Sequence, residues 1–262
     1  MERREKIYTQ FENFGREFCN TNHFDNLGVL ALYGSQNYLL DTENSDIDIK
    51  GFITPTIDDI ALNSSCTTNA GLYTLNDFNG TVSLQDIRHF TQLLKKSNFN
   101  SLEILYSPYF MYNDKGRFSP VEMAFRELKS HREDFVTANP KSFFNSIFGF
   151  ININLKRMNN TDITNNKKFG KAAATIMRLT NFLFSYYENR SYDASLQSFK
   201  VFDRDLILFV KEGSMEKDKC IKMAELCEKE AREKENAFNI KKNEKAEKIA
   251  DEIMREMIIK LI

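Results

Sequence analysis

The strongest constraint on this chain is a pair of segments joined by a short polar stretch. Residues 28–33 (GVLALY) form an unbroken apolar run closed by Gly34, the pattern of a buried strand. Residues 46–54 (DIDIKGFIT) open with polar–apolar alternation, the pattern of a strand with one face buried. Between them, SQNYLLDTENS reads as a helical turn followed by a polar loop. The first part of the chain is therefore committed to strands and helices together.

The neighbouring segments extend that reading. Over residues 3–20, Ile7, Phe11, Phe14 and Phe18 recur at the spacing of an amphipathic helix. After Pro55, TIDDIAL predicts a short helix with Thr56 as its N-cap and acids in its first turn. Residues 81–85 (TVSLQ) alternate like a strand. Residues 86–97 then place Ile87, Phe90, Leu93 and Leu94 on one side of a helix. Residues 101–107 (SLEILYS) are apolar enough for either helix or strand.

From about Ser119 the pattern is helical: 119–130, 140–158, 166–189, 201–212, 216–236 and 241–261. Asn139–Pro140 is a helix start, because proline fits the first helical position, and Gly213 marks a stop. The last fifty residues, rich in Lys and Glu, read as a solvated helical hairpin. The expected fold class is α+β, a small mixed-sheet domain over residues 1–115 followed by a helical domain over 116–262.

Composition narrows the function. With 42% hydrophobic and 28% charged residues, the chain has the make-up of a soluble globular protein. A net charge of −1 argues against a basic coat for long nucleic-acid tracts, while leaving room for a local basic cleft. The opening MERREKIYTQFENF has charge and no apolar run, unlike a secretory leader, and no apolar stretch is long enough to span a bilayer. Cys19, Cys66, Cys220 and Cys227 lack metal-ligand spacing, so reduced thiols in a cytoplasm and no membrane partner are expected.

Chemistry concentrates between Gly34 and Lys50. Asp46 and Asp48 are two residues apart, which on a strand sets both carboxylates on one face with Ile47 behind them. Such a pair repels itself unless a cation intervenes. Mg²⁺ (or Mn²⁺) suits it as a hard ion that shares its oxygen ligands with substrate phosphates. Gly34 lets backbone approach a phosphate closely. The following helix start offers N–H groups to an anion, and the Ser35 hydroxyl adds a hydrogen bond. Lys50, on the same strand face, is suited either to a phosphate or to an ion pair with a neighbouring acid.

An apolar strand, Gly-Ser, about a dozen residues and then Asp-x-Asp between apolar residues is the pattern of the DNA polymerase β nucleotidyltransferase superfamily. LALYGSQNYLLDTENSDIDIKGF resembles it throughout. Tyr38 after Gly-Ser, and Asp-Thr-x-x-Ser before Asp-Ile-Asp, look like one branch, the RNA-repair-pathway nucleotidyltransferases of bacteria and phages. QDIRHFTQLLKKSNFNSLEILYS is similar to that family's strand-to-helix segment, and residues 170–189 and 206–219 resemble its helical part more loosely.

The resemblance implies an enzyme that transfers a nucleoside monophosphate from an NTP or dNTP to an acceptor hydroxyl. The acceptor would be an RNA or DNA 3′ end, a protein side chain or another nucleotide. In that scheme Asp46 and Asp48 hold the metal, Gly34 and Ser35 hold the β/γ-phosphates, and Lys171 or Arg178, seven apart on one helix, offset developing charge. It also implies bacterial or phage-infected cytoplasm as the setting; oligomeric state stays open.

Active relatives carry a third carboxylate on a later strand, and the resemblance sets that position at Ser83. Asp86, expected at a helix N-cap, Asp77 in the preceding loop, and Glu103 are the nearby acids. A serine brings no charge to a cation. The alternative expectation is therefore a nucleotide-binding or regulatory protein that has lost catalysis. Arg88, His89 and Lys211 are further polar candidates. Tyr38, Tyr186 and Tyr187 are candidates for stacking on a base or for the core.

Overall fold

Ile7, Phe11, Phe14 and Phe18 are all buried on α1 (Glu2–Asn22), because their spacing puts them on one stripe of the helix. The computed structural model describes residues 2–22, 26–42, 45–64, 72–75, 78–112, 119–160, 166–236 and 239–262. In it, α1 lies against one face of a five-stranded sheet through Leu30, Leu32, Ile47, Ile49, Val82 and Leu84.

The sheet is mixed. Its strands are β1 (Leu27–Tyr33), β2 (Ile47–Ile53), β3 (Leu72–Leu75), β4 (Phe78–Asp86) and β5 (Phe110–Tyr112), in the order β3-β4-β2-β1-β5. β1 runs antiparallel to β2 and to β5, β2 runs parallel to β4, and β3 is antiparallel to β4. The parallel pair requires a crossover. Part of it is α2 (Ile57–Ala61), which starts where Thr56 and Asp59 cap each other reciprocally, at 2.9 and 3.0 Å.

Helices cover the other face. Asp86 caps α3 (Ile87–Lys95) by accepting from the Arg88 amide at 2.8 Å. Residues 101–107, open between helix and strand by pattern, fall mostly in α4 (Phe99–Leu105). α5 (Pro120–Ser130) and α6 (Arg132–Val136) follow. Phe90 of α3 and Phe125 of α5 meet Phe52 of β2 at ring-centroid distances of 4.5 and 5.0 Å, and Phe110 of β5 meets Phe125 at 5.2 Å. These pairs make the core on that side.

The remaining helices are α7 (Pro140–Asn160), α8 (Asn166–Asn189), α9 (Tyr192–Leu196), α10 (Arg204–Lys211), α11 (Lys217–Asn236) and α12 (Ala246–Ile259). Gly213 ends α10 with φ +80°, where a side chain would also meet the backbone of Asn166.

The chain forms two compact units, residues 1–139 with 242–262, and residues 140–241. This division differs from the expected boundary at 115. α5 and α6 stay with the sheet, and α12 returns to it. Lys95 of α3 pairs with Asp251 of α12 at 2.8 Å, and Asn243 donates to Asp134 at 2.8 Å. The Lys/Glu-rich α11 and α12 thus belong to different units rather than to one hairpin. Within the second unit, Phe143, Phe182, Tyr186 and Tyr192 form an aromatic core, and Cys220 and Cys227 are buried on α11. No helix among the described residues is long and apolar enough to cross a membrane.

Candidate functional site

β1 ends at Tyr33, and the chain turns at once. Gly34 takes φ +99°, a conformation that disfavours side chains, and Ser35–Tyr38 form one short 3₁₀ helix rather than an α-helix. The turn is anchored by Asn37, which is fully buried. Its amide donates to the Leu32 carbonyl and its oxygen accepts from Ser107 Oγ, both at 3.1 Å. The Asn37 amide N–H donates to the Gly34 carbonyl at 3.1 Å, and that of Leu40 to the Ser35 carbonyl at 3.0 Å. Tyr38 is buried.

The carboxylates stand beside this turn. Tyr33 pairs with Asp48 across β1 and β2. A Cβ at Gly34 would lie 3.3 Å from Asp48 Oδ2 and 3.6 Å from Gln36 Oε1, so this glycine leaves room where the turn and the carboxylate meet. Asp46 sits just before β2 and is exposed. Its carbonyl accepts a 2.7 Å hydrogen bond from Gln36 Nε2. The expected alternation holds through Ile47, Asp48, Ile49 and Lys50, with the two isoleucines buried on the α1 side.

The register of β4 changes the question of the third acid. Ser83, the expected position, pairs with Lys50; the residue beside Asp48 is Thr81. Thr81 Oγ1 donates to Asp48 Oδ1 at 2.5 Å. A carboxylate standing laterally to Asp48 would thus replace Thr81, not Ser83.

Among the described residues, no other acid is grouped with Asp46 and Asp48 into a three-ligand cluster. Asp86 pairs with Ile53, far along β2, and its carboxylate is held by Arg88 at 2.5–3.1 Å. Arg88 also donates to the carbonyls of Asp59 and Ser64, so it is a structural tie. Glu103 is buried on α4, and Asp77 lies outside the described residues. Among the described residues, no three His, Cys, Asp or Glu side chains are grouped to hold a metal by themselves.

Charge and burial compete on this face. Burial, and then the negative charge of Asp48, push the Tyr33 phenol above its usual pKa, against the opposing pull of the Thr81 and Ser83 hydroxyls. Lys50 is half-buried, and burial pushes its ammonium below the usual lysine value. The ion pair expected as one alternative for Lys50 does not occur among the described residues.

Lys171 is exposed and Arg178 half-buried on α8, and Lys211 ends α10; all three belong to the second unit. His89 is exposed, Tyr186 is core, and Tyr187 packs under Arg190 and Lys234. Sequence reasoning missed Gln36, Asn37, Tyr33 and Thr81. Gln36 and Asn37 directly follow Gly-Ser, and that adjacency was the one available signal. No protein-family model matches the chain, and no curated protein does.

Proposed function

We propose that this protein binds a nucleoside triphosphate with Mg²⁺ at the Gly34–Ser35 turn and the Asp46/Asp48 pair, and that it is a nucleotidyltransferase of the polymerase β type. One observation carries the reading: the Asp48 carboxylate abuts the Gly34 turn, while Gln36 ties that same turn to Asp46. The donor set fits a hard cation. The Asp48 carboxylate and a buried, unpartnered Gln36 oxygen lie at this corner, Asp46 is tied to it through its backbone carbonyl, and a triphosphate would complete the oxygen shell.

Bound there, Mg²⁺ would neutralise phosphate charge and polarise the α-phosphorus. The chain's own residues do the rest. Asp46 and Asp48 hold the cation, Gly34 and Ser35 take the β/γ-phosphates, and Lys50 adds a cation on the same sheet face. An acceptor hydroxyl would attack the α-phosphorus in line. The new O–P bond forms, the bond to the β-phosphate oxygen breaks, the hydroxyl loses its proton and pyrophosphate departs. The acceptor class most consistent with the resemblance is a nucleic-acid 3′ end.

Thr81 favours a second reading, a nucleotide-binding protein with weak or no transfer, because a hydroxyl stands where a third carboxylate would flank Asp48. The experiment is incubation with each labelled NTP and dNTP, with Mg²⁺ or Mn²⁺, with and without RNA. Transfer above that of an Asp46→Ala/Asp48→Ala control supports the enzyme. Nucleotide binding without transfer supports the second reading, and neither binding nor transfer defeats both.

A further inference from the structure

Gln36 is over nine-tenths buried, yet only half of its amide is satisfied. Nε2 donates to the Asp46 carbonyl at 2.7 Å, while Oε1 is buried with no hydrogen-bond partner. Turning the amide over would bring an oxygen against the Asp46 carbonyl, so the clamp fixes which atom is left over. That oxygen lies 3.6 Å from the point where a Gly34 Cβ would stand, and Asp48 Oδ2 lies 3.3 Å from the same point. A lone buried acceptor is costly to keep. Beside a carboxylate, it makes a negative corner that a cation would relieve.

We propose that Gln36 is a positioning residue that locks Asp46 to the phosphate turn, and that its Oε1 is a neutral oxygen of the cation site alongside the Asp48 carboxylate. The proposal rests on the nucleotide–metal reading of that corner. It adds a role for a residue that no acid-counting argument would select. Neutral oxygen suits this place, since a third negative charge there would also repel the triphosphate.

The test is Mn²⁺ titration of the full-length protein followed by electron paramagnetic resonance, a readout independent of turnover. Gln36→Met keeps length and removes both polar atoms; it should weaken Mn²⁺ binding by about tenfold or more. Gln36→Glu keeps an oxygen but loses the donor to Asp46. It should retain Mn²⁺ better than Gln36→Met and bind a non-hydrolysable ATP analogue more weakly than wild type. Wild-type Mn²⁺ affinity in Gln36→Met overturns the proposal. If that variant does not fold, Gln36→Glu decides: an Mn²⁺ affinity as poor as that of Asp48→Asn overturns it. Wild type that binds neither Mn²⁺ nor nucleotide overturns the underlying reading as well, which separates the two failures.

Discussion

The two faces of the central sheet are built from alternate residues of the same strands, yet they differ in kind. Toward α1, Leu30, Leu32, Ile47, Ile49, Val82 and Leu84 close on four helix side chains without a polar interruption. On the opposite face, the aromatic packing around Phe52 gives way to Lys50 and Ser83, and then to Tyr33, Asp48 and Thr81. Leaving a half-buried lysine and carboxylate on a sheet face costs stability that an apolar row would not. The lesson is a difference in kind: one face is apolar throughout, and the other, beyond its Phe52 aromatic core, carries polar and charged side chains at a cost in stability.

The largest effect should fall on the apolar face. Phe14→Ala removes a ring with 1% exposure and should cost about 3–5 kcal/mol in urea unfolding. A cost below about 1 kcal/mol would mean that the α1-facing layer contributes little to stability. Next, Asp48→Asn should leave the unfolding midpoint nearly unchanged while weakening Mg²⁺–nucleotide binding by about a hundredfold, or about 2.8 kcal/mol, as read by calorimetry. An equal loss of stability and binding would mean that Asp48 is part of the fold's support.

Thr81→Asp sharpens the same contrast. It sets a second carboxylate directly beside Asp48, so the metal-free protein should lose up to about 1 kcal/mol of stability, and Mg²⁺ should restore it. Failure of Mg²⁺ to restore stability would show that this row does not face a cation site. A gain of transfer activity would identify the wild type as a degenerate transferase.

The smallest effect is at Lys50. Its folded pKa is lowered by burial from the usual 10.5. Below the lowered value both folded and unfolded chains are charged, and the folded one bears the full burial cost. Between that value and 10.5 only the unfolded chain stays protonated, so stability rises with pH through this window. Lys50→Met should remove that slope, raise neutral-pH stability by up to about 0.5 kcal/mol, and weaken nucleotide binding. An unchanged slope in a pH series of unfolding curves would assign it to another group.

Local physics made much of this legible in sequence. The buried β1, the alternating β2, the Thr56 and Asp86 caps and the Phe-lined α1 each follow from spacing within one segment. What stayed hidden depends on distant pairing. Alternation predicts that 81–85 is a strand but carries no register, so that Thr81 lies beside Asp48, and Ser83 (the position the resemblance set for the third acid) beside Lys50, could not be read from it. β3 and β5 span only four and three residues, too short for a periodic signal. The pattern of α12 gives an apolar stripe without naming its partner, so its return to α5 and α3 was not foreseen. Gln36 and Asn37 sit in a stretch whose composition reads as exposed turn, although both are buried.

The nucleotide–metal site proposed at the Gly34 turn and the Asp46/Asp48 pair can be tested by binding alone. Calorimetric titration with non-hydrolysable NTP and dNTP analogues, with and without Mg²⁺, tests it most directly. At least one analogue should bind in a manner that requires Mg²⁺ and is lost in Asp46→Asn/Asp48→Asn. Mg²⁺-independent binding, or equal binding by the double variant, would contradict it.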